Sequence, residues 1–120
     1  MSRIMLVDDS PSIRAIVGKT LREGGHEVVE ATDGQNAIDQ LATTRVELVL
    51  CDVNMPRVDG LGLLRHLRTQ TPPDQTPVVM LTTEVDPRRI QVAKDGGASG
   101  WMVKPFRPEQ LLATIRQVLR

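Results

Sequence analysis

Tyrosine is absent from this 120-residue chain, which carries one phenylalanine, one tryptophan and one cysteine. With so few aromatics, the core must be built from Leu, Val, Ile, Ala and Met, and a chain of this length can bury enough of them to fold unaided. The lone Cys51 excludes an internal disulfide and a Cys-rich zinc site, so a reducing compartment, the cytoplasm, is expected. Net charge is missing as well: 15 basic and 15 acidic side chains balance, with a pI near 6.7. That balance argues against nucleic acid held by a general electrostatic field, which calls for a basic surplus. Long hydrophobic runs are also lacking, since stretches such as Ile4–Val7 and Val78–Leu81 are four residues long. The N-terminus has no charged-then-apolar leader, so neither a membrane span nor a signal peptide is expected. The length fits one domain, residues 1–120, with no linker, repeat or low-complexity segment left over.

What is present is a regular alternation. Short apolar runs at Ile4–Val7, Val28–Ala31, Leu48–Cys51, Val78–Leu81 and Gly100–Val103 are each followed by a longer amphipathic stretch. The pattern predicts five strands alternating with five helices. Ser10 and Pro11 start the first helix, which carries Ile13, Ile16, Val17 and Leu21 at helical spacing and stops at Gly24 and Gly25. Asp33 and Gly34 open the second, with Ala37, Ile38, Leu41 and Ala42 on one face. The third begins near Asp59 and buries Leu63, Leu64 and Leu67. The fourth starts at Asp86 and Pro87 and has the weakest apolar face, with Ile90 and Ala93. The fifth starts near Pro108 and turns Leu111, Leu112, Ile115, Val118 and Leu119 inward. Strands that alternate with helices imply an α/β fold: a parallel sheet covered on both faces by right-handed crossovers.

In such a sheet the ligand site lies beyond the carboxyl ends of the strands. There the sequence places Asp8 and Asp9 after the first strand, Asp52 at the end of the third, Thr82 at the end of the fourth and Lys104 after the fifth. Each alone reads as a cap, a turn residue or a surface lysine. Together they converge on one rim. Three carboxylates within about 4–6 Å repel by up to about 4 kcal/mol per close pair at an effective dielectric of about 20, so a cation belongs among them. Oxygen donors with no His or Cys beside them select a hard dication, and room for water favours Mg²⁺. A dication beside a lysine and a hydroxyl suits a phosphoryl group, and a carboxylate in the same site can accept it.

These residues carry a family resemblance that spans the chain. The segments Ile4–Met5–Leu6–Val7–Asp8–Asp9–Ser10, Cys51–Asp52–Val53–Asn54–Met55–Pro56, Asp59–Gly60, Thr82, Gly97–Ala98–Ser99–Gly100 and Lys104–Pro105–Phe106 resemble the receiver domain of two-component response regulators. Within that family the chain is similar to the single-domain chemotaxis regulators of the CheY type. The resemblance implies a flavodoxin-like sheet of order 2-1-3-4-5. It implies that Asp52 accepts a phosphoryl group from a phosphohistidine on a histidine kinase, that Asp8, Asp9, Asp52 and the backbone carbonyl of Asn54 hold Mg²⁺, and that Lys104 and Thr82 bond phosphoryl oxygens. Trp101 takes the position of an aromatic that turns inward as Thr82 moves, and Lys104–Pro105 that of a cis peptide. Asn54 and Glu84 occupy the two positions that tune self-dephosphorylation, and their pairing implies a lifetime of seconds to a few minutes. Trp101 replaces the usual Tyr or Phe, Thr83 stands where Ala or Gly is commoner, and Arg107 stands where a helix cap is often found.

The function expected is a monomeric, phosphorylation-controlled binding module, not an enzyme in its own right beyond autodephosphorylation. Its partner would be a separate protein target, in chemotaxis the flagellar motor switch or another effector. A phosphate shuttle or phosphate sink, in a phosphorelay or a surface-motility system, is the alternative. An aspartyl phosphatase would need a second catalytic Asp at position 54 and a cap domain. A flavin carrier would need hydroxyls and glycines where Asp8 and Asp9 stand. Cys51 reads as a small core residue, and His26 and His66 as solvated. The arginines near the fourth and fifth helices, Arg88, Arg89, Arg107, Arg116 and Arg120 among them, read as a solvated face able to guide an acidic partner.

Overall fold

Every expected strand forms in the computed structural model, which describes residues 2–53, 55, 57–70, 74–83 and 87–119. The elements run β1 (Arg3–Val7), α1 (Pro11–Glu23), β2 (Glu27–Ala31), α2 (Gly34–Leu41), β3 (Leu48–Asp52), α3 (Gly60–Arg68), β4 (Val78–Thr82), α4 (Pro87–Asp95), β5 (Gly100–Val103) and α5 (Pro108–Val118). The strands pair in parallel in the order β2-β1-β3-β4-β5. Register decides where the functional edge falls. Val7 lies opposite Ala31 and Cys51, Asp52 opposite Leu81, and Thr82 opposite Val103. The carboxyl ends of all the strands therefore come out on one edge.

Alternation along each strand divides the core into two layers. Met5, Val7, Val49, Cys51, Val78 and Met80 face one way, toward Ala37 of α2, Leu63, Leu64 and Leu67 of α3 and Ala93 of α4. Ile4, Leu6, Leu48, Leu50, Val79 and Leu81 face the other way, toward Val17 and Leu21 of α1 and Leu111 and Ile115 of α5. The helices begin where short polar side chains satisfy free amides. Ser10 Oγ accepts from Ile13 N–H (3.3 Å), Asp33 Oδ1 from Asn36 N–H (2.8 Å) and Asp59 Oδ1 from Gly62 N–H (2.8 Å). At the start of α5 the roles reverse: Arg107 offers its own N–H to Gln110 Oε1 at 2.8 Å, which explains how an arginine serves at that position.

Some expectations change. Ile16, at helical spacing with Ile13, Val17 and Leu21, is 64% exposed, because α1 docks through Val17 and Leu21, one step further round the helix. Ala42 falls just past α2 as its C-cap and is exposed. His26 and His66 are half-buried instead of solvated. The expected start of α4 at Asp86, and Arg120, lie outside the described residues.

Candidate functional site

Asp8, Asp9 and Asp52 each bring a carboxylate oxygen into one group whose atoms all lie within 4.8 Å of one another. The chain folds this way locally for simple reasons. Asp8 follows the last residue of β1, and its N–H still bonds Ala31 O of the neighbouring strand at 3.1 Å. Its Oδ1 accepts from Ser10 N–H at 2.9 Å, so the turn into α1 fixes the carboxylate. Arg14, one turn into α1, donates to Asp8 O at 2.6 Å and pairs with Glu30 at 3.3 Å. Asp8 is buried, Asp52 half-buried and Asp9 exposed, so the group opens to solvent on one side.

Lys104 meets this group from the other half of the sheet, and Thr82 ends β4, the strand beside that of Asp52. Lys104 N–H donates to Thr82 O at 2.8 Å, continuing the β4–β5 ladder by one rung. Its Nζ reaches 3.4 Å from Asp8 Oδ2 and 3.6 Å from Asp52 Oδ2. Thr82 is fully buried at the end of β4. The Lys104–Pro105 peptide is cis, as the resemblance implies. Gly60 lets α3 start against β3: a Cβ there would stand 2.5 Å from Asp52 O. Cys51, directly behind Asp52, is fully buried, and burial followed by the nearby carboxylates pushes its thiol well above the ordinary value, which disfavours a reactive thiolate.

Three carboxylates and one ammonium leave the group with a net charge of minus two. All its donors are hard oxygens, the set that suits Mg²⁺ and not zinc or copper. The residues present therefore fit the metal. Asn54 and Glu84 lie outside the described residues. Trp101 pairs with Met80 across the β4–β5 ladder and packs, half-buried, against the layer under α3 and α4.

Sequence reasoning missed Arg57. Its guanidinium makes a double hydrogen bond to Asp33, Nε to Oδ2 at 2.8 Å and Nη2 to Oδ1 at 2.9 Å, joining the segment after β3 to the start of α2. The pair spans 24 residues of sequence, which no local pattern reports. Also unforeseen is a hollow of about 460 Å³ beside Lys104, lined by Ile13, Ile16, Val17, Pro105 and Phe106 among others.

Comparison with known proteins agrees with the geometry. The family described as the response regulator receiver domain matches residues 4–116. The chain belongs to that family. The response regulator MprA of Mycolicibacterium vanbaalenii is 38% identical over 118 residues, which cover 98% of this chain and 50% of that protein. This chain thus spans about half the length of the curated relatives it matches. Among solved structures, the chemotaxis protein CheY4 of Vibrio cholerae is 44% identical, with a TM-score of 0.92 and 99% of each chain covered. A putative response regulator from Chloroflexus aurantiacus is 28% identical, with a TM-score of 0.91, 98% of this chain and 97% of that one covered.

Proposed function

We propose that Asp52 accepts a phosphoryl group from a histidine kinase and that the resulting acyl phosphate switches binding to a separate protein target. The observation that carries this reading is the Lys104 ammonium set between Asp8 and Asp52 at the rim of the sheet. In the transfer, an Asp52 oxygen attacks phosphorus, a P–O bond forms, the P–N bond to the donor imidazole breaks, and the imidazole leaves and is reprotonated by solvent. Asp8, Asp9 and Asp52 would hold Mg²⁺, with the carbonyl of Asn54 as a further ligand by resemblance. When bound, the ion supplies charge neutralisation for an anionic phosphoryl group approaching an anionic carboxylate. Lys104 takes one phosphoryl oxygen, and the Thr82 hydroxyl, already at the strand end, takes another. Apart from losing its own phosphate, assisted by Asn54 and Glu84, the domain is a regulator and not an enzyme.

The apolar hollow at Ile13, Ile16, Phe106 and Pro105 lies beside Lys104 and gives a donor helix a place to pack while its histidine reaches Asp52. Chemotaxis is the favoured setting, supported by similarity to CheY4 over the whole chain. A phosphate shuttle or sink is the alternative. The domain is expected to act as a monomer in the cytoplasm; among the described residues no helix is long and apolar enough to cross a membrane.

The test is a titration of Mg²⁺, then beryllofluoride or a small phosphodonor, followed by Trp101 fluorescence and intact mass, with Asp52→Asn as control. Saturable Mg²⁺ binding and a phosphoryl mass increment that needs Asp52 support the reading. Failure of Mg²⁺ to bind overturns it.

A further inference from the structure

Arg57 is the one non-glycine with a positive φ among the described residues, at 64°. That conformation is unfavourable for any residue with a Cβ and persists where its surroundings over-determine it. Two contacts do so here. The guanidinium grips both oxygens of Asp33, which is buried and already caps α2. Next to it, Val58 O accepts from Gly34 N–H at 2.9 Å, in an approach so close that a Cβ on Gly34 would stand 2.1 Å from that oxygen. The same segment is tied back to the acceptor strand. Gly60 N–H donates to Val53 O at 3.0 Å, and Gly60 is pressed against Asp52 O. A continuous line of contacts therefore runs from Asp33 through Arg57, Val58 and Gly60 to the residue proposed to accept phosphate.

We propose that Asp33 and Arg57 form a positioning clamp that holds the segment following β3 against the start of α2, and so presets the Asp52 carboxylate and the cation site. The proposal rests on the reading of Asp52 as acceptor. Neither clamp residue touches the phosphoryl group; both act through the backbone at Val58 and Gly60. The bidentate geometry suits the task, since two parallel N–H···O bonds fix direction as well as distance.

Arg57→Gly isolates the ion pair, because glycine accepts the positive φ without strain. Two readouts of the folded protein decide. Amide hydrogen exchange at Gly34 and Gly60 should quicken by about tenfold in the variant, and the Mg²⁺ Kd from calorimetry should rise by about tenfold, the low end for loss of an outer-shell partner. Asp33→Asn should reproduce both effects, the double variant should be no worse than either single one, and Arg57→Lys should restore part of the loss. If the wild type binds Mg²⁺ and Arg57→Gly matches it within about twofold on both readouts, the clamp is overturned while the acceptor reading stands. A pair with only a structural role would lower the urea midpoint and leave both readouts unmoved, which also overturns it. If the wild type binds no Mg²⁺, the acceptor reading fails and takes the link from clamp to site with it.

Discussion

Lys104 Nζ lies 3.6 Å from Asp52 Oδ2, close enough to attract the carboxylate and too far for a good hydrogen bond. The ammonium thus holds a place in the acidic group that an incoming dication must share. Two opposite effects of removing it follow. In Lys104→Gln the site becomes more negative, so Mg²⁺ should bind several-fold tighter; the solvent that reaches the group on the side of exposed Asp9 screens the gain well below the dry Coulomb limit. Phosphorylation by a small donor should slow by about 10²–10³-fold, as when a donor to a developing oxyanion is lost. Calorimetry and intact mass against time check the two arms, and a parallel loss of both would contradict the assigned role.

Ile16 gives a test that separates chemistry from docking. Its side chain is 64% exposed on α1 and lines the hollow beside Lys104, whose lining includes none of the three aspartates. Ile16→Asp should leave the Mg²⁺ Kd and small-donor phosphorylation unchanged, while transfer from a phosphorylated histidine kinase slows by about tenfold or more, as for a hot-spot residue worth about 1.4 kcal/mol or more. Equal transfer rates would move the docking surface elsewhere.

Acid should weaken one specific bond. The hydrogen bonds from Arg57 and then from Asn36 N–H hold the Asp33 carboxyl below its ordinary value of 3.8. A carboxylate lowered in the folded state contributes stability that is fully present above pH 3.8 and is lost as pH falls through the lower folded value. The difference in urea stability between wild type and Asp33→Asn should therefore be constant near neutrality and shrink below that pH. A difference independent of pH would show that the pair adds nothing through the charge of Asp33.

The extent to which the chain could be read from its sequence follows the range of each interaction. Ser10, Asp33 and Asp59 mark helix starts because a cap acts within three residues, and the site residues fall at strand ends because parallel topology carries all those ends to one edge. Helical spacing places Ile16 on the apolar face of α1 but admits a wide face, and only packing against the sheet decides which of its rows are buried. Nothing local marks Arg57, since its partner is distant in sequence and its positive φ is imposed by the tertiary fold.

Trp101 packs half-buried beside Met80, with its Nε1 atom shut off from solvent and without a hydrogen-bond acceptor among the described residues. A buried donor left unpaired costs about 1–3 kcal/mol. Phenylalanine at this position would give up part of the ring contact and also remove that cost, whereas alanine would give up the whole contact, about 3–5 kcal/mol for a large aromatic in a packed layer. Trp101→Phe should therefore unfold in urea within about 1 kcal/mol of the wild type, and Trp101→Ala should lose several times more. Far-ultraviolet circular dichroism is the probe, because both variants lose the tryptophan signal. A loss in Trp101→Phe as large as in Trp101→Ala would contradict the account of the indole nitrogen as an unpaired donor.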